Sequence, residues 1–158
     1  MKTEYSKQLP GCLILAAFLS GCSEPPPPTQ ADPYQLVTDI RQGMEWILEP
    51  AADVIWDSAG FIIDAQGETD LSPVTEEDWN TVIYAAATLA ESGNLLMLPG
   101  RAIGDDWVEY AQGLVSASEL ALAAARAQDA DALFDAGGRI YQVCRACHNQ
   151  YWPEARRD

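Results

Sequence analysis

An all-α fold, an antiparallel four-helix bundle, is what this sequence predicts, and three observations carry it. Four segments place apolar residues at every third or fourth position, the spacing of one helix face. Each opens on a start signal, most often a short polar side chain able to cap free backbone amides. No segment sustains a period of two with β-branched residues, so a sheet has no candidate strands. At 158 residues the chain suits one domain with a real core and is too short for two comfortable ones.

The first helix is predicted to start at Asp32 and Pro33, a capping side chain before proline at the first helical position. Its stripe runs through Val37, Ile40, Met44, Ile47, Ala51, Val54 or Ile55, and Ser58, with Trp46 off the stripe and open to solvent. Pro50 removes one backbone hydrogen bond, which predicts one bent helix or two short ones in line, ending near Gly60 to Gly67. The second helix is announced by Ser72-Pro73 and a Thr75 cap before Glu76, Glu77 and Asp78, carboxylates that suit the positive end of the helix dipole. Its buried face is Trp79, Val82, Ile83, Ala86, Leu89, Ala90 and Gly93, and Pro99-Gly100 ends it.

A third helix from about Asp105 offers Trp107, Tyr110, Ala111, Leu114, Ala117, Ala121 and Ala124 or Ala125, an alanine density that permits close helix contact. The fourth runs from about Asp129 to Tyr151, with Leu133, Ala136, Gly137, Ile140, Val143, Cys144 and Cys147 inward. The pair Gly137-Gly138 costs about 1 kcal/mol per glycine relative to alanine, which points to close approach of something bulky or else to a weak spot in the helix.

Aspartate and glutamate total 24 against nine lysines and arginines, a formal charge of −15 that repels nucleic acid and anionic lipid and serves solubility, in a saline medium for instance, or else a basic partner. Residues 1–21 read as a secretory signal: a lysine-bearing head, an apolar stretch from Cys12 to Leu19 and then small residues, too short to span a bilayer. Leu19-Ser20-Gly21-Cys22 resembles the lipobox of bacterial lipoproteins. That resemblance implies cleavage before Cys22, lipid on Cys22 and a membrane tether without a span. Ser23 implies delivery to the periplasmic side of a Gram-negative outer membrane. Four consecutive prolines make residues 22–31 a stiff stalk, and the folded domain is expected over 32–158.

Near the other end stands Cys144-Arg145-Ala146-Cys147-His148, containing the chain's only histidine. On a helix, residues 144, 147 and 148 share a face. C-x-x-C-H is the signature of covalent haem attachment: two thiols one turn apart add to neighbouring vinyl groups, and the adjacent imidazole ligates iron. The rivals fit less well. Structural zinc wants four nitrogen or sulfur ligands and the domain supplies three; a reactive dithiol belongs at a helix start after a strand; a disulfide between Cys144 and Cys147 would strain the helix and close almost no loop. Export also delivers the chain to a compartment where c-type haem is assembled. With Cys12 lost and Cys22 lipidated, no thiol is left over.

Over roughly residues 32–158 the chain resembles the class II c-type cytochromes, the cytochrome c′ family, in which a four-helix bundle carries the haem motif near its C-terminus. Arg145 between the cysteines and Tyr151 three residues past His148 match the family pattern, and Arg41-Gln42 resembles its arginine-glutamine pair. The resemblance implies a single haem c and its iron, with His148 as proximal ligand and Arg41 near a haem propionate. The sixth iron position is left to Met44, to Met97 or to no residue. The family's distal residue falls four after the arginine, where Glu45 stands, whereas Met44 is three after it. A methionine ligand implies a low-spin carrier of single electrons between redox partner proteins. An open position implies a protein binding nitric oxide or carbon monoxide. No general acid, base or nucleophile constellation is visible, so no enzyme is expected. A homodimer is compatible with the sequence but does not follow from it.

Overall fold

The computed structural model describes residues 33–154. The expected signal sequence, the expected stalk and lipidation at Cys22, the expected Asp32 cap and the last four residues lie outside the described residues. The chain is mostly helical, and among the described residues no helix is long and apolar enough to cross a membrane.

The first helical run starts later than the sequence suggests. It opens at Ile40, where Asp39 accepts from the Gln42 amide at 2.7 Å and Gln42 returns the bond to the Asp39 amide, a complete capping box. Val37, expected on the buried stripe, is 92 % exposed. The segment before α1 (Ile40–Gly43) is instead held by Arg101, a buried guanidinium that donates to the Thr38 carbonyl and hydroxyl.

After α1 the helix widens into a π-helical turn, Met44–Leu48, and then resumes as α2, Glu49–Trp56. Pro50 gives the reason. It has no N–H to donate, and its ring crowds the carbonyl four residues back. The ladder adapts one residue earlier, where the Glu49 amide reaches back five residues to the Met44 carbonyl. The run therefore continues in line through the proline.

A correction concerns the link that follows. Residues Phe61–Asp64 (β1) and Gly67–Asp70 (β2) form an antiparallel hairpin, pairing Phe61 with Asp70 and Ile63 with Glu68. All ten residues 61–70 are exposed. With neither face buried, no alternation of apolar and polar residues is required, and that alternation is the signal by which a strand is read.

The remaining helices follow the predicted boundaries closely: α3 spans Glu76–Leu96, α4 Asp105–Ala127 and α5 Ala130–Tyr151. Thr75 and Asp78 form the capping box of α3, and Asp129 caps α5. Only residues 128 and 129 separate α4 from α5, so those two run in opposite directions. Helix α3 packs on α4, α4 on α5, and α2 closes the ring by touching both α3 and α5. The core holds Ile55, Val82, Leu89, Leu114, Leu133 and Ile140, each almost wholly buried.

The two glycines of α5 differ. At Gly137 an added Cβ would lie 3.4 Å from the Trp56 ring, an ordinary contact, and the Trp56 indole donates to the Gly137 carbonyl at 3.0 Å. At Gly138 a Cβ would meet nothing within 4 Å, so the expected close approach is absent there. Gly138→Ala should therefore gain the helix propensity without a steric cost, about 1 kcal/mol, and raise the thermal midpoint by a few degrees. Thermal denaturation followed by circular dichroism checks it; a lowered midpoint would contradict the open environment.

Candidate functional site

A cavity of about 830 Å³ opens between the first helical run and α5. One wall comes from Ile40, Met44, Leu48, Ala52 and Trp56, which recur every four residues. In a uniform α-helix such a row drifts around the axis; the wider π turn corrects part of that drift. Expectation differed in part here: the sequence stripe passed through Ile47, which is only partly buried, and through Val54 or Ile55, of which Ile55 is in the core, while Leu48 and Ala52, off that stripe, are buried and reach the cavity. The floor is apolar, with Leu89 of α3 and Trp107 of α4. The Trp107 indole is fixed by donating to the Leu96 carbonyl at 2.8 Å.

The opposite wall belongs to α5, where Cys144, Cys147 and His148 all face the cavity. The helical spacing that predicted a shared face is realised. Both thiols are free and partly buried. Burial pushes the Cys144 thiol up to about 11, helped by the neighbouring Cys147, and burial raises Cys147 as well. The end of a helix is also the negative end of its dipole, which disfavours thiolate. These are not activated thiols, since a reactive dithiol needs a depressed value. Burial lowers His148, only partly opposed by the Glu49 carboxylate, so at neutral pH the imidazole is neutral and offers a lone pair.

Met44 is partly buried, packs on the core and lines the cavity across from α5. Met97 packs on the core and does not line the cavity. Arg41 and Glu45 sit on the rim, joined by an ion pair of 2.7 Å, so the carboxylate at the position four after the arginine is already engaged. Of the five tryptophans, Trp56, Trp107 and Trp152 line the cavity, Trp79 is in the core, and Trp46 is 62 % exposed as its place off the stripe predicted.

Sequence reasoning missed two residues that line the cavity, Glu49 of the first helical run and Tyr141 of α5. Glu49 is brought there by the π turn, which a 3.6-residue period does not reveal. Tyr141 lies three residues before Cys144, a spacing that would have found it. Among the described residues no three His, Cys, Asp or Glu side chains converge on a point that could hold a metal ion. The thiols and imidazole line a broad wall instead.

Comparison with family models, curated proteins and solved structures returns no match.

Proposed function

We propose that this protein is a monohaem c-type cytochrome resembling cytochrome c′, an antiparallel four-helix bundle with the haem motif in its last helix. On this reading it is tethered through Cys22 on the periplasmic side of a bacterial membrane and carries single electrons between redox partners. The observation that carries the reading is the alignment of two thiols one turn apart, with the only histidine beside them, along one wall of an apolar cavity.

The residues present fit the group. The cavity falls within the 300–1,000 Å³ range typical of cofactor sites, roughly, and its lining is mostly apolar with few convergent polar atoms. Cys144 and Cys147 would hold the macrocycle by thioether bonds, and the neutral His148 would ligate from the same helix. Bound there, the group supplies a one-electron couple at iron. The chain's own contribution is the setting. Leu48, Ala52, Leu89 and Trp107 exclude water, Met44 offers a thioether from the opposite wall, and Glu49 places negative charge toward His148. The overall charge of −15 favours the oxidised state and lowers the potential.

Absorption spectra of the purified, matured protein test this. Sharp low-spin bands on reduction, unmoved by carbon monoxide, are expected. Met44→Ala should convert them to broad high-spin bands that sharpen with the gas. If the unsubstituted protein already responds to carbon monoxide, gas binding replaces electron transfer as its function. Colourless protein whose mass is accounted for by polypeptide and lipid would end the haem reading.

A further inference from the structure

Four aromatic side chains line the cavity, and hydrogen bonds fix two of them. Trp56 and Trp107 each donate an indole hydrogen bond to a backbone carbonyl. Tyr141 and Trp152 are each about half exposed, Tyr141 packing edge-on against Trp56 with ring centroids 6.2 Å apart. Trp152 is the one that joins solvent to His148. Its ring meets the His148 imidazole edge-on, with centroids 5.5 Å apart and planes 75° from parallel. Its amide donates to the His148 carbonyl at 2.9 Å, at the point where α5 ends, and Pro153 then stops the helix.

We infer that Trp152 is the electron outlet of this site, the contact over which a basic one-electron acceptor protein docks. The inference rests on the proposed haem reading. Electronic coupling falls steeply across empty or water-filled gaps, and here a conjugated ring already in contact with the imidazole carries the path to solvent. Tryptophan is also over-represented among the residues that dominate binding energy in protein interfaces, where a large, rigid, amphipathic surface is ordered at little entropic cost. A ring left half in water has that surface to give. The partner's charge is inferred from the −15 carried by this chain as a whole; on the cavity rim Arg41 is paired with Glu45, and Glu49 and Arg145 both line the cavity. In the transfer the group held at His148 loses one electron and the docked acceptor gains one. Trp152 ends unchanged, and no bond is made or broken.

The test uses the holoprotein and a small cationic oxidant, the cobalt(III) phenanthroline complex, mixed with reduced protein in a stopped-flow instrument. Trp152→Leu should slow oxidation about tenfold, the loss expected of a dominant tryptophan contact, while Trp152→Phe keeps most of the rate. The absorption spectrum and midpoint potential should stay as in the unsubstituted protein, which separates a lost outlet from a disturbed site. Tyr84→Leu, at an exposed aromatic on α3 away from the cavity, should leave the rate unchanged. Equal rates for Trp152→Leu and the unsubstituted protein, with haem in place, would overturn the outlet. Absence of haem from the unsubstituted protein would instead overturn the reading beneath it.

Discussion

Exported protein carrying Cys144→Ser and Cys147→Ser together should contain no haem that survives denaturation, whereas the unsubstituted protein should keep a full complement. Serine hydroxyls are close in size to the thiols but cannot form thioether bonds, so the fold around them should be little disturbed and the loss should be chemical. Denaturing electrophoresis with haem staining, paired with intact mass, reads the outcome directly. Covalent haem in the double variant would mean that attachment runs through other residues. The same chemistry sets an order of events. In the folded chain burial holds the Cys144 thiol near 11, compared with an unperturbed value of 9.0, so little thiolate exists at neutral pH. On the proposed haem reading, attachment is expected on the open chain before α5 docks, and apoprotein folded first should take up haem covalently much more slowly than nascent exported chain.

The parts of this molecule that were legible in its sequence are those whose cause is local. The capping pairs at Thr75 and Asp129 place two helix starts within a residue, because the cap and its partner amide lie within three positions of each other. The shared face of Cys144, Cys147 and His148 is equally local, being fixed by the helical repeat alone. Two features were hidden. The π turn arises from a conflict between Pro50 and the hydrogen-bond ladder before it; within it Met44 packs on the core, and Glu45, also on the cavity rim, is paired with Arg41. A stripe read at constant period passes over that shift. The hairpin at 61–70 was hidden for the opposite reason, since fully exposed strands carry no burial pattern. Arg101, which holds the segment ahead of α1, acts over 63 positions of sequence and leaves no local trace.

Gly93→Ala should destabilise the fold by about 1–3 kcal/mol, although alanine is the better helix former by about 1 kcal/mol. The site is a close approach of α3 to α4. An added Cβ would sit 2.6 Å from a Val115 methyl, 2.9 Å from the Ala111 carbonyl oxygen and 3.2 Å from the Val115 amide nitrogen. Val115 can turn its methyl aside, but the carbonyl and amide belong to the backbone of α4, so relief requires the two helices to move apart. That movement reaches beyond the local contact. It loosens the packing of α3 on α4, and Leu89 of α3 is part of the cavity floor. Gly93→Ala is thus expected to lower the denaturant midpoint and also broaden the haem absorption bands. Gly138→Ala, the same chemical change inside another helix, should raise the midpoint and leave the bands alone. The pair isolates interhelical distance from helix propensity, since propensity favours alanine equally in both. If the two variants shifted stability in the same direction, the tight seam between α3 and α4 would not be what holds the cavity floor in place.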